Sequence, residues 1–484
     1  MKLLSTWFAP LRDGTAQQVS GDRRFASLTR FFSAIALAIA LALAPARADA
    51  QAGVFPTAPR VERLPNGLTV VSVPWESPGI VAYYTLVRVG SRDEVEPGHS
   101  GFAHLFEHMM FRGTERFPQA RYEEVLQGFG ADNNAYTTQD FTLYTLTAPS
   151  AVLDQVVDLE ADRFQHLSYD EAAFRTETGA VRGEYDTNAS NPFLKMWEAL
   201  SEVSFSQHTY GHTTLGYLRD IDAMPEMYEY SRRFFQRFYT PDNATIIAVG
   251  DVDHDRLMAL VRQHYGRWRG RRDQPRIPVE PAPTAGATRH IDWPAAASPR
   301  LFAGYRTPAF MSGRSAREQL ASLRDTAALQ VVHGLAFSEP SPLYQRLVVD
   351  ERSVLELGSW ANEHTRDPHL FIAHATLADG QSFDTILGAI QSELDRIAQG
   401  NVEAERLEAV KSHIRYALLS ELETPSAVAD LIARTIAVGG RLEVLDQLLA
   451  AVAAVTPEDV ARVARQYLTA DRRFVVTLAQ GGAQ

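Results

Sequence analysis

From residue 60 onward, apolar residues alternate and then cluster in an order that predicts strands followed by helices, twice over. Arg60–Leu64 and Leu68–Val73 flank Pro65-Asn66-Gly67, a hairpin signal. Ile80–Val89 alternates as a third strand, and Gly130–Leu146 contains a long alternating run that predicts a fourth. Phe102–Phe111 has helical spacing, and helices are expected over 151–167, 170–190 and 192–203. Further on, strands are expected near 299–306, 353–361 and 369–377. Helices are expected near 382–399, 402–420, 425–437 and 442–451. Strands grouped before helices indicate an α+β fold.

Residues 271–287 (RRDQPRIPVEPAPTAGA) are proline-rich and lack hydrophobic periodicity, the pattern of a semi-extended strap. They part the chain into segments at 56–270 and 288–484. Near the end of each segment the pattern repeats: FYTPDNATIIAV at 238–249 and YLTADRRFVVTL at 467–478. Each is preceded by an amphipathic helix opening on Pro-Glu, Pro225-Glu226 and Pro457-Glu458, the second about one turn shorter. The expected fold is two tandem homologous α+β domains.

Composition narrows the partners. The formal net charge is −12, which disfavours nucleic acid and anionic membrane and suits basic or neutral peptides. There is no cysteine, so a metal site must use histidine and carboxylate. Residues 31–44 are apolar, Arg23, Arg24 and Arg30 precede them, and Ala48-Asp49-Ala50 follows. That is a signal-peptide pattern with cleavage after about Ala50, too short to span a bilayer; it predicts a periplasmic or secreted protein.

The predicted helix at 102–111 carries His104-Leu105-Phe106-Glu107-His108. At about 100° per residue, Glu107 falls near −60° and His108 near +40° from His104, so two imidazoles and a carboxylate share one side. Two histidines can hold a divalent metal while the glutamate sits beside its bound water. The order is the reverse of H-E-x-x-H, the inverzincin arrangement. A catalytic zinc takes three protein ligands and keeps an open position. Glu184 is the candidate third ligand, on the predicted helix capped by Asp170. Glu177 lies two turns earlier on the same face; one of this pair can ligate while the other holds a histidine from behind. Gly179 and Gly183 on this helix suggest close helix approach near the metal. The pattern therefore points to a hydrolase with one Zn²⁺ per chain, liganded by His104, His108 and Glu184, with Glu107 as general base.

With Gly90-Ser91-Arg92-Asp93-Glu94 and Gly101 through Thr114 around it, this motif resembles the signature of the insulinase/pitrilysin/mitochondrial-processing-peptidase superfamily. The resemblance continues through Asn134-Ala135-Tyr136-Thr137, Glu177–Glu184, Asn191-Pro192-Phe193, Tyr210-Gly211-His212 and Tyr239–Ala244. It implies a zinc endopeptidase of peptides or unfolded segments, with the same ligands and base. It also implies that short chains pair into a four-domain clamshell. The strand matching Asn134–Thr138 docks substrate backbone in that family, which makes Asn134, Ala135, Tyr136 and Thr137 substrate-binding candidates; an exposed strand edge accepts an extended peptide in this way.

One departure bears on partners. Self-sufficient members carry an arginine in the second half with a tyrosine seven residues later. Here Val348 stands at the arginine position; Arg346 or Arg352 could take that place, but neither has a tyrosine at the right spacing, and none occurs between Tyr344 and Tyr416. The chain is therefore expected to be the metal-bearing subunit of a heterodimer whose homologous partner supplies the Arg/Tyr pair, with a homodimer as the other option. The competing class is a non-catalytic scaffold subunit, against which all four metal-site residues stand intact. A third is an enzyme trimming a peptide-derived cofactor. His208-Thr209-Tyr210-Gly211-His212 reads as a loop rather than a second metal site, and His364, His369 and His374 cannot share one strand face.

Overall fold

Pro65-Asn66-Gly67 reverses the chain, so that β1 (Arg60–Arg63) pairs antiparallel with β2 (Thr69–Pro74). Gly67 has φ 99°, and a Cβ there would lie 2.7 Å from the Asp242 Cβ, so the turn needs glycine. The computed structural model describes residues 54–361 and 365–481; the expected signal peptide and His364 lie outside the described residues.

β3 (Ile80–Val87), β4 (Asp132–Thr137), β5 (Thr142–Pro149) and β6 (Ala244–Gly250) complete a six-stranded sheet in the order β1-β2-β6-β3-β5-β4. β2 and β6 run parallel and every other neighbour antiparallel. A second sheet contains β7 (Ala287–Trp293), β8 (Arg300–Thr307), β9 (Val354–Trp360), β10 (His369–Leu377) and β11 (Phe474–Gln480), in the order β7-β11-β8-β10-β9. β7 and β11 are parallel and the rest antiparallel. Without β1, the first sheet has the same order and directions as the second. The duplicated segments end in β6 and β11, at equivalent places in the two sheets.

The expected single strand over Gly130–Leu146 is two strands. Between them Thr138 Oγ1 accepts the N–H groups of Asp140 and Phe141, both at 3.0 Å, and closes a tight turn. The alternation runs on through this turn, which is why it hides there; a threonine hydroxyl supplies the bonds that a ladder would otherwise make. β7 was not expected. It is largely exposed and follows no apolar pattern, and only its parallel pairing with β11 defines it. The helices Gln119–Phe129 and Ala316–Phe337 were also not anticipated. The second packs its apolar residues nearly all round in the core of the second half, so no single stripe marks it. The two Pro-Glu helices are equally long, Tyr228–Phe238 and Pro457–Tyr467; the extra turn near Pro225 is a separate 3₁₀ turn.

The halves exchange helices. Pro192–Ser204 of the first half lies on β11, β7 and β8, where Met196 and Leu200 meet Phe302, Ile372 and Val476. Pro425–Gly439 of the second half lies on β3 and β6. Tyr136 donates to Asp430 at 2.6 Å across that contact, and Thr147 meets Ser426 at 2.9 Å. Each fully buried Leu or Ile on such a helix contributes about 1.5–3 kcal/mol, against about 1 kcal/mol net for a hydrogen bond. Apolar packing therefore holds the exchange, and the polar contacts set its register.

Candidate metal centre

The helix Phe102–Met109 is buried at every position except His108, which is half-buried. Its start is built by two residues. Gly101 has φ 92°, and a Cβ there would sit 2.5 Å from the Leu215 carbonyl oxygen, so only glycine fits. Glu94 caps the helix, its carboxylate accepting from the N–H groups of Gly101 at 2.8 Å and Ala103 at 2.7 Å. Burial pushes the Glu94 carboxyl up to about 8 despite those bonds. Tyr144 donates to the Phe106 carbonyl at 3.0 Å, so the 2.6 Å contact with Tyr239 is a bond donated by Tyr239. The helix is thus held at two of its free N–H groups and one of its carbonyls.

His104 and His108 stand one turn apart, ring centroids 4.8 Å from each other. The helix Glu171–Ala189, capped by Asp170 accepting from the Ala173 N–H, brings Glu184 against both. Glu184 Oε2 lies 3.5 Å from His104 Nε2 and 3.3 Å from His108 Nε2. Two ligands at about 2.0–2.1 Å from a tetrahedral ion stand about 3.4 Å from each other. The donor set therefore fits a zinc-sized ion in spacing and in kind. Among the described residues, this is the one group of three or more such side chains whose donor atoms all lie within 4.8 Å of one another.

Glu177 accepts from His108 Nδ1 at 3.0 Å and also pairs with the Arg112 guanidinium. Arg112 in turn reaches Gln119 at 3.3 Å. Arg112 was not foreseen, although it stands four residues after His108 and so on the same helical side. Burial disfavours a charged His108, but the hydrogen bonds to Glu177 and Glu184 outweigh it and hold its pKa up at about 10. Burial dominates at His104 and depresses it, so that ring stays neutral. Glu177 and Glu184 are held below the usual carboxylate range; burial opposes this but is outweighed by the histidines and, at Glu177, by Arg112. Glu107, only 6% exposed, lies close enough for its charge to favour protonation of both imidazoles. Replacing Glu177 by alanine is expected to lower zinc affinity by roughly 10- to 100-fold, read by chelator competition, because His108 loses the acceptor that orients it.

The other candidates lie as follows. β4, which carries Asn134, Ala135, Tyr136 and Thr137, is the edge strand of its sheet and packs by the metal helix, with Thr137 Oγ1 3.5 Å from the Ala103 carbonyl. Asn134 is exposed, Ala135 and Thr137 are buried, and the Tyr136 hydroxyl is committed to Asp430. Gly179 and Gly183 do not mediate close packing: both are exposed, and a Cβ on either would meet nothing within 4 Å. Their absent side chains leave open the surface beside Glu184. His208 Nδ1 accepts from the Tyr210 N–H and its Nε2 lies 3.1 Å from Asp367; His212 Nδ1 lies 2.9 Å from the Thr213 carbonyl. His369 packs against Phe205 and Tyr210, and His374 stacks on Trp360.

Two family models match: "Insulinase (Peptidase family M16)" over residues 75–217 and "Peptidase M16 inactive domain" over 227–414, together more than half of the chain. The chain is 27% identical over 385 residues to the zinc protease PqqE of Helicobacter pylori, covering 76% of this chain and 81% of that protein. It is 26% identical over 432 residues to mitochondrial-processing peptidase subunit beta of Lentinula edodes, covering 84% and 87%. Among solved structures, a protease from Helicobacter pylori superposes with TM-score 0.80 at 25% identity, over 87% of this chain and 99% of that one. The periplasmic protease PqqL from Escherichia coli superposes with TM-score 0.71 at 20% identity, over 88% of this chain but 48% of that one.

Proposed function

Because the chain belongs to the insulinase family of peptidases, family M16, we propose that it is a zinc endopeptidase. In this reading it cuts peptides or unfolded protein segments in an exported compartment, as the metal-bearing subunit of a heteromer. The observation that carries the reading is the convergence of His104, His108 and Glu184 from two helices, with buried Glu107 on the first of them. His104, His108 and Glu184 hold the ion. Zinc there supplies a Lewis acid that acidifies water and polarises a scissile carbonyl. Glu107 takes the proton of the attacking water and passes it to the leaving amine. Glu177, itself held by Arg112, orients His108. The β4 backbone at Asn134–Thr137 pairs with an extended substrate, adding it as a strand at the sheet edge.

The same reading assigns residues 1–50 to a cleaved signal peptide and 56–270 to the zinc-peptidase domain. It assigns 271–287 to the strap and 288–484 to a homologous domain without the metal motif. Three features support pairing with a second chain. Val348 and Leu355 stand where an Arg/Tyr pair is needed. One relative is by its name a subunit. The PqqL chain is about twice the length that this chain matches.

Metal analysis and peptide cleavage test the reading. One zinc per chain is expected, with cleavage abolished by a chelator and restored by zinc. A folded chain that takes up no transition metal ends the reading and leaves the non-catalytic scaffold in its place.

A further inference from the structure

Away from the metal centre, a cavity of ≈ 360 Å³ lies at the junction of the two halves. Three segments distant in sequence each place an arginine in its wall: Arg88 just after β3, Arg272 in the strap, and Arg366 just before β10. Arg92 and four carboxylates also line it, so the charge count is even, but Arg92 and the carboxylates are engaged with one another or with other groups. Asp273 pairs with Arg237. Glu280 accepts the N–H groups of Ser206, Gln207 and His208. Asp367 takes Arg92 and His208. Asp93 accepts from the Gly90 N–H and lies 3.7 Å from Arg92.

The guanidiniums of Arg88, Arg272 and Arg366, by contrast, make no hydrogen bond or ion pair among the described residues. The Arg88 Nε is fully buried without a partner. Burial first, then the charges of Arg366 and Arg272, bring the Arg88 pKa down to about 10, with Asp93 and Asp140 pulling the other way. The charge of Arg366 also acts on the Asp93 and Asp140 carboxylates, but the unused donors of the three guanidiniums keep the planar forked geometry that matches oxyanions.

We propose that this cavity is a binding site for a small phosphate-type oxyanion, held by Arg88, Arg272 and Arg366 and bridging the two halves. The volume is at the lower end for small-ligand sites and suits a diphosphate. A bound anion would tie the strap and the loop before β10 to the segment leading into Gly90–Glu94, whose last residue caps the metal helix.

Calorimetric titration of the zinc-loaded chain with inorganic pyrophosphate and with ADP, at constant ionic strength, tests this. Saturable one-site binding is expected. Equal affinities assign the site to the diphosphate alone, and tighter ADP binding assigns it to a nucleoside diphosphate. Arg366→Gln is expected to weaken binding about tenfold or more, since a charge-assisted bond is lost. Arg88→Gln should act alike, and if that half-buried change prevents folding, Arg366→Gln decides. A His108→Ala chain is expected to bind pyrophosphate as tightly as wild type. No saturable binding, unchanged affinity in Arg366→Gln, or loss of binding in His108→Ala each overturns the proposal. The last would place the anion on the metal.

Discussion

Glu107→Gln is expected to leave zinc bound and to lower peptide turnover by about 10²–10⁴-fold, the range for loss of a positioned general base. Glutamine has nearly the same volume, so the buried helix Phe102–Met109 keeps its packing, and the change touches none of His104, His108 or Glu184. It does remove the one group on that helix able to accept a proton beside the ion. The loss should fall on kcat while KM changes little, because the carboxylate acts on the reacting water rather than on substrate backbone. Zinc content by metal analysis, set beside kcat on a reporter peptide, measures both halves of the prediction. If zinc departs with the carboxylate, Glu107 is a ligand and the roles drawn here must be exchanged with Glu184.

The chain purified alone is expected to bind zinc yet cleave slowly. A homologous subunit carrying the Arg/Tyr pair should raise the rate by roughly 10²–10³, the usual worth of one donor to a tetrahedral oxyanion. The structural ground is the segment of the second half where such donors would stand. Val348 lies in the helical turn Gln345–Asp350, and Leu355, seven residues on, is 59% exposed at the start of β9. Neither side chain can donate a hydrogen bond, and an exposed leucine gains nothing from facing water. Mixing the two purified subunits and following kcat against their ratio tests this, with saturation expected at equal amounts. Full activity from the isolated chain would sink the heteromer. If the chain also pairs with itself, the double change Val348→Arg with Leu355→Tyr should raise its own activity.

Local features of the chain were legible wherever a short-range rule governs them. The hairpin at Pro65-Asn66-Gly67, the Asp170 cap and most helix bounds follow from neighbours a few residues apart. The duplicated ends were legible because β6 is buried throughout and β11 over Phe474–Leu478, which calls for a mainly apolar run in each. β7 was not legible, because it is exposed and exists only through its partner strand. The turn at Thr138 escaped because a side-chain hydroxyl, not a glycine or proline, closes it. The glycines at 179 and 183 were misread for a related reason: a missing side chain marks either tight packing or open space, and only coordinates separate the two.

At the metal centre the same division holds. Helical periodicity alone puts His104, Glu107 and His108 on one side, because backbone hydrogen bonding sets 3.6 residues per turn whatever the surroundings. It also aligns Glu177 with Glu184. Which carboxylate meets the imidazole nitrogens, and which meets the ring from behind with Arg112 at its back, depends on how two helices cross. That crossing is set by packing among residues far apart in sequence. Sequence determined the chemistry on offer along each helix. Tertiary structure decided which atoms face each other, since non-local contacts position one helix against another and no local rule encodes them.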